Sequence, residues 1–409
     1  MTRVTPLYES EPTPVNRSNP PYIYDAVRLP RARVRKSGGT LAGLRPVELI
    51  ALLLAALDER SGASRVVEDV LLGISTTTGE QAGNITRAAV QWADWPDHIP
   101  GGVVSRLCCS GLDAIESAAA RVAAGTAHAV VAGGVESMSR VPMFSDTPPI
   151  AADPEIGERS GFVTIGVSAD LTAARYGFTR ELLDAYAVAS HGRAATAPDS
   201  HSLISVKVGE IGLDSDEGPR PGVTIEDLAA LPALFGEDPG WERVARRFPD
   251  SPRPAAGLHT IATAPQLADG ASAVLIGDAE AGAALSIRPR AQIVGTAQSA
   301  VRSPLLTASV DASHRALERA GITAEDLDVV EVNESFAVTP LMLIEELHLD
   351  PARVNVHGGA LAVGHPLGAT GGILVAHALD QLERTGGEHA LVTIPAALGL
   401  GAALVLRRV

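Results

Sequence analysis

The chain has 409 residues, 46% hydrophobic and 20% charged, the balance of a globular protein with a sizeable core rather than a disordered chain. Its 33 Lys and Arg against 48 Asp and Glu leave a formal charge of −15, so neither nucleic acid nor an anionic membrane is expected as the main partner. Aromatics make up 3%, too few for a base-stacking platform, and no apolar run of about 18 residues suits a transmembrane helix.

Residues 1–21, polar and proline-rich, read as a loose tail rather than a signal peptide. Residues 22–27 suit a short strand, and 46–57 an amphipathic helix opened by Pro46 and closed near Gly62. Residues 66–72 and 129–132 read as buried strands, and this rhythm predicts an α/β domain with a mostly buried sheet. From about 137 to 260, clusters of Pro, Asp and Gly surround one helix over 180–197, the texture of an inserted, loop-rich subdomain. The α/β rhythm then resumes. A strand over 273–276, a helix stopped by Gly321, a strand over 328–332 and a helix beyond Ser335 are followed by a helix over about 370–382 and strands over 390–394 and 402–406. An internal echo, Ala56-Leu57-Asp58-Glu59-Arg60-Ser61-Gly62 against Ala316-Leu317-Glu318-Arg319-Ala320-Gly321, fits two similar halves.

The two cysteines, Cys108 and Cys109, are adjacent, which excludes a disulfide framework and a four-cysteine zinc site and suits the cytoplasm. They sit in Arg106-Leu107-Cys108-Cys109-Ser110-Gly111-Leu112, ahead of Leu112, Ile115, Ala119 and Val122 at helical spacing. A thiol at a helix N-terminus is expected to favour its thiolate, while small buried cysteines are also common packing residues. In Gly358-Gly359-Ala360-Leu361-Ala362-Val363-Gly364-His365-Pro366-Leu367-Gly368 the glycines imply close backbone approach, and a neutral His365 near a thiol can take its proton. His357, His259 and His377 lack comparable surroundings. The third candidate is Glu331-Val332-Asn333-Glu334-Ser335-Phe336 at a strand end, where α/β sheets gather ligand groups, although an Asn there also suits a helix cap. No metal site or nicotinamide fingerprint is apparent.

Together with Val130-Val131-Ala132-Gly133-Gly134-Val135-Glu136-Ser137-Met138-Ser139, Asp25-Ala26-Val27-Arg28 and Asp269-Gly270-Ala271, these segments resemble the thiolase family over nearly the whole chain. The resemblance implies duplicated α/β halves in five layers, α-β-α-β-α, with an inserted loop domain that helps bind coenzyme A, and a homodimer or homotetramer. It divides the chain into the tail 1–21, a first half 22–284 with its loop domain at about 138–260, and a second half 285–409.

By the same resemblance, Cys108 is the acyl-accepting nucleophile, the first Cys of a Cys-x-Ser-Gly pattern, and Cys109 fills the variable position. His365 activates it, Asn333 positions a water in one oxyanion hole, and backbone N–H groups of Cys108 and Ala397 form the other. An acyl-CoA or coenzyme A enters as substrate, with no permanently bound cofactor.

The sequence departs from the family at Pro395-Ala396-Ala397-Leu398-Gly399-Leu400-Gly401, where the pattern is Cys-x-Gly-Gly-Gly-x-Gly. Pro395 stands where the second catalytic cysteine is expected, and no third Cys exists to replace it. Proline offers no acid–base group, and such help is typically worth roughly 10²–10⁴-fold. Pro265 stands where the family often has Ser near the pantetheine, and Thr164-Ile165-Gly166 where His-Met-Gly is common. Phe336 completes the expected substrate contacts. Three chemistries remain open: Claisen condensation or thiolysis of a 3-ketoacyl-CoA, acyl transfer or decarboxylative condensation without the proton-abstraction step, and CoA-ester binding without turnover.

Overall fold

The computed structural model describes residues 19–409, so the expected tail lies largely outside the described residues. Strands β1 (Tyr22–Arg28) and β2 (Ala32–Arg33) are followed by α1 (Pro46–Ser61), β3 (Asp69–Gly73), α2 (Ile85–Trp92), β4 (Gly102–Val104), α3 (Ser110–Ala123) and β5 (Ala129–Ser137). The insertion holds α4 (Pro149–Ala152), α5 (Pro154–Ser160), α6 (Ile165–Tyr176), α7 (Arg180–Ala195), β6 (Val206–Val208), β7 (Ile211–Leu213), α8 (Ile225–Ala229) and α9 (Gly240–Arg247). Strand β8 (Ala268–Gly277) and α10 (Ala279–Leu285) return the chain to the strands of the first half. The second half runs β9 (Ala291–Ala300), α11 (Ala308–Ala320), β10 (Val329–Val332), α12 (Val338–Leu347), α13 (Ala360–Val363), α14 (Thr370–Thr385), β11 (His389–Ala396) and β12 (Leu400–Arg408).

The main sheet is ordered β10-β11-β12-β9-β1-β8-β5-β3-β4, with β2 beside β8. Outward from β1 the first half reads β1-β8-β5-β3-β4, and outward from β9 the second reads β9-β12-β11-β10. The directions repeat too. Strand β8 is antiparallel to β1 and β5, and β5 is parallel to β3; β12 is antiparallel to β9 and β11, and β11 is parallel to β10. A parallel bridge from Val330 to Val354 stands where the first half has β4. The helices of the sequence echo, α1 and α11, occupy equivalent places and both end on a left-handed glycine, Gly62 (φ 68°) and Gly321 (φ 72°).

Alternation along the strands explains the layers. Val70, Leu72 and Val131 pack with α1 and α2 on the outer face of the first half's strands, while Leu71, Val130 and Ala132 join α3 and α14 in a central core. Val392, Ile394 and Leu404 enter that same central core, whereas Val330, Leu391 and Val405 face α11 and α12. With both faces covered, the strands carry the continuous apolar runs of buried sheet.

Two expectations differ. The helix expected to end at Gly321 is α11, but β9 ahead of it was not anticipated, although its alternating buried and half-buried residues are a period-2 pattern. The insertion is also more helical than expected, since α6 precedes the anticipated α7. The insertion is pinned to the first half by two carboxylates. Asp216 accepts from Arg28 Nη1 at 2.7 Å, Arg31 N at 2.8 Å and Arg31 Nη2 at 2.6 Å, and Glu217 accepts from Arg33 N at 2.9 Å and Thr40 Oγ1 at 2.6 Å. Among the described residues, no helix is long and apolar enough to cross a membrane.

Candidate active site

The candidate residues lie on four segments at strand ends and helix starts. Leu107, in the left-handed region at φ 52°, turns the chain so that Cys108 sits just before α3. Ser110 braces this turn: its hydroxyl accepts from Arg106 N at 2.8 Å and donates to Leu107 O at 2.6 Å. The backbone N–H groups of Ala397 and of Cys108 itself lie by the Cys108 sulfur and favour its thiolate. Burial nevertheless pushes this thiol up to about 12, overriding those donors. The expected thiolate preference is thus reversed by desolvation, and the thiol needs a base. Cys109 is packing: its thiol points to Ile394 O at 3.3 Å within the central core.

His365 follows α13 and is held by its backbone N–H to Gln266 O at 2.9 Å. Its Nδ1 lies 2.7 Å from Thr370 Oγ1 and its Nε2 3.3 Å from Asn333 Nδ2. Burial and the nearby Arg31 charge bring its pKa down to about 3, so the ring is neutral at physiological pH. Asn333 continues from β10; its N–H bonds Thr393 O at 3.0 Å, and its carbonyl accepts from Thr339 Oγ1 at 2.9 Å.

The turn after β11 starts at Ala397 and passes through Leu398 (φ 62°) and Gly399 (φ 71°), a left-handed pair that lets the chain double back into β12. Because Thr393 O bonds Asn333 N–H, odd-numbered residues of β11 face β10. Strand β10 ends at Val332, so the N–H that Pro395 lacks falls beyond the last ladder bond and costs none. The Pro395 carbonyl accepts the Ser335 hydroxyl at 3.0 Å.

The first and second halves are drawn together by glycines. A Cβ on Gly134 would overlap the Gly368 carbonyl, and one on Gly371 would overlap the Leu112 backbone at the start of α3. Glu136 reinforces the join. Its Oε2 accepts from Ser75 N (2.9 Å) and Gly368 N (2.9 Å), its Oε1 from Thr76 N (3.1 Å) and Gln81 Nε2 (2.8 Å). Glu334 does the same for the insertion, accepting from Tyr186 OH (3.0 Å), Ser190 Oγ (2.8 Å) and Leu361 N (3.0 Å).

The structure thus joins Asn333 to His365 by a hydrogen bond and brings the Ala397 N–H to the Cys108 sulfur. Pro265 lies next to Gln266, whose carbonyl holds His365. Phe336 is buried and packs edge-on against Phe235 and His259 at 5.8 and 5.2 Å between ring centres, in the same apolar cluster as Ile165. Thr164 instead faces Asp238 at 2.9 Å on an exposed surface. Sequence reasoning missed Glu136, Glu334, Ser335 and Thr370. An acidic residue inside an apolar strand was a usable signal for Glu136; the others show only through partners distant in the chain.

A duplicated α/β protein with a cysteine, a neutral histidine, an asparagine and a glycine-containing turn converging between its halves is organised for acyl transfer through a thiol. The description "Thiolase, N-terminal domain" matches residues 22–241 and "Thiolase, C-terminal domain" residues 287–408. The chain belongs to the thiolase family. It is 35% identical over 418 residues to a beta-ketoadipyl-CoA thiolase of Acinetobacter baylyi, covering 95% of this chain and 99% of that one. It is also 35% identical over 404 residues to a steroid 3-ketoacyl-CoA thiolase of Mycobacterium tuberculosis, covering 95% and 94%. The crystal structure of the Bacillus anthracis acetyl-CoA acetyltransferase superposes with a TM-score of 0.83 at 28% identity, covering 96% of this chain and 100% of that one.

Proposed function

We propose that this chain is an acyl-CoA acyltransferase that cleaves or forms 3-ketoacyl-CoA through an acyl-enzyme on Cys108. The observation that carries the reading is a buried, neutral His365 hydrogen-bonded to Asn333, with the Ala397 N–H favouring the Cys108 thiolate. In the cleavage direction His365 Nε2 takes the Cys108 proton, and the sulfur attacks the 3-keto carbonyl. The oxyanion is stabilised at the hydrogen-bond donors; losing one such donor typically costs roughly 3–4 kcal/mol. The Cα–Cβ bond then breaks, leaving the acyl group on Cys108 and its electron pair on the α-carbon of the departing acetyl-CoA. That carbon needs a proton. Pro395 has none to give, so the His365 imidazolium or water supplies it. Coenzyme A thiol finally attacks the acyl-enzyme, its sulfur taking the acyl group and its proton returning to Cys108.

Pro395 favours one second reading, acyl transfer or decarboxylative condensation, in which no α-carbon is deprotonated. By its likeness to thiolases we place the protein in the cytoplasm as a homodimer or homotetramer. Thiolysis of acetoacetyl-CoA with free coenzyme A, read by loss of enolate absorbance beside Cys108→Ala, tests the main reading. Cys108-dependent cleavage supports it. An acyl adduct on Cys108 by intact mass without cleavage supports the second, and cleavage that survives Cys108→Ala refutes both.

A further inference from the structure

The corner of the Asn333 amide that lies 2.7 Å from Ser335 Oγ also lies 3.3 Å from His365 Nε2. An amide can turn over, so this corner can present a donor, Nδ2, or an acceptor, Oδ1. With Nδ2 there, Nε2 must accept and the ring proton sits on Nδ1. With Oδ1 there, Nε2 must carry the proton and is no longer a base.

Thr370 does not decide between these. Its hydroxyl can accept from Nδ1 and donate to Pro366 O at 3.2 Å, or it can donate to Nδ1, because Pro366 O already takes the N–H groups of Ala369 (2.8 Å) and Thr370 (3.1 Å). Ser335 does decide. It has one hydroxyl hydrogen, and the Pro395 carbonyl 3.0 Å away lies past the end of β10 with that hydroxyl as its donor. If Oδ1 faced Ser335, one hydrogen would serve two acceptors and a buried oxygen would go bare. Asn333 and Ser335 are each 1% exposed and His365 5%, so bulk water does not make up the loss.

We infer that Ser335 is a positioning residue: bound to Pro395, it turns the Asn333 amide nitrogen toward His365 and keeps the imidazole as the Nδ1–H tautomer with Nε2 basic. The inference rests on the role of His365 proposed above. It also ties the Asn333 segment to the residue two before Ala397, so one hydroxyl sets the register of both groups placed to stabilise the oxyanion.

Long-range ¹H–¹⁵N spectra of ¹⁵N-histidine-labelled protein, with His365→Gln to identify the resonance, read the tautomer directly. The expected wild-type spectrum shows an unprotonated Nε2. Ser335→Ala should shift the ring toward Nε2–H and slow acylation of Cys108 by acetyl-CoA roughly five- to tenfold, about the worth of one buried hydrogen bond. Ser335→Thr, which keeps the hydroxyl, should restore both. Asn333→Asp, which presents acceptors only, should give the Nε2–H form even if Ser335→Ala fails to fold. Nε2–H in the wild type, or a folded Ser335→Ala with an unchanged tautomer, overturns the inference. The spectra need no substrate, so a wild type that never acylates would sink the proposed function while the tautomer is still read.

Discussion

Replacing Glu136 by glutamine, nearly the same shape, should be far from neutral. The carboxylate meets only donors: Ser75 N and Gly368 N on one oxygen, Thr76 N and Gln81 Nε2 on the other. Burial raises its pKa while those donors lower it, and a protonated carboxyl would aim its own hydrogen at a donor, so the geometry is that of the anion. A glutamine must place its NH2 against one pair or the other. Facing Ser75 and Gly368, it leaves two backbone N–H groups unpaired. Facing Thr76 and Gln81, it forces the Gln81 amide to turn and give up Ser137 N, bonded at 2.6 Å. Either way two hydrogen bonds to a charged acceptor are lost, each worth about 1.5–3 kcal/mol, so Glu136→Gln should cost about 3–6 kcal/mol. Chemical denaturation followed by circular dichroism measures this. Acylation of Cys108 should also slow in the folded variant, because Gly368 lies between His365 and Thr370 and is released with the carboxylate. A Glu136→Gln protein with an unchanged midpoint and unchanged acylation rate would refute the reasoning.

Asp216→Asn should leave Arg28 and Arg31 buried without their counter-charge, costing about 3–5 kcal/mol in denaturation at pH 7. Burial opposes ionisation of Asp216, but Arg28 and Arg31 outweigh it and hold the pKa well below the usual carboxylate range. Its contribution is therefore fully present above the unfolded value of about 3.9, and the gap between wild type and variant should narrow as the pH falls below that. His365, lowered to about 3 by burial and Arg31, should give Cys108 acylation no acid limb between about pH 5 and 8; a limb centred near 6.5 and lost in His365→Gln would contradict this. Because the unfolded chain binds that proton near 6.5 and the folded chain does not, His365 should also make stability fall as the pH drops from about 6.5 toward 3, measurable by denaturation in acid. Pro395→Cys should raise thiolysis of acetoacetyl-CoA by up to roughly 10²–10⁴-fold with acylation of Cys108 unchanged, and a folded variant with no gain would show that proton transfer is not the missing step.

What the sequence reveals is what neighbouring residues encode. The Cys-x-Ser-Gly start of α3, the glycine-flanked His365 and the glycine ends of α1 and α11 are contiguous, and each stands where its pattern predicts. Strand β9 escaped notice because its small residues, Ala291, Gly295 and Ala297, carry little strand signal until β12 pairs with it. Glu136 is flagged in the sequence only as an acid inside an apolar strand, and its role as an anchor, like that of Glu334, shows once residues 55 to 232 and 21 to 148 positions away are brought to them. The state of Cys108 was misread for the same reason: a helix start raises the acidity of a thiol, but only the folded chain shows how fully both halves desolvate it.

The duplication itself explains why the site needs both halves. Of the proposed site residues, the first half contributes Cys108 just ahead of α3, and the second contributes Asn333, His365 and Ala397 on segments following β10, α13 and β11. Neither set holds both a thiol and a base, so acylation depends on how closely α3 approaches the loop before α14. That distance is set by backbone meeting backbone at Gly111, Gly134, Gly368 and Gly371, where a methyl group would have to displace main chain rather than a side chain. The Asn333–Ser335–Pro395 connection, by contrast, lies wholly within the second half. A proline at position 395 therefore leaves the meeting of Cys108 with Ala397 and the pairing of His365 with Asn333 in place, while removing the acid–base group a cysteine would bring. On the proposed mechanism, acyl capture therefore survives the proline, while the proton for the α-carbon falls to His365 or water.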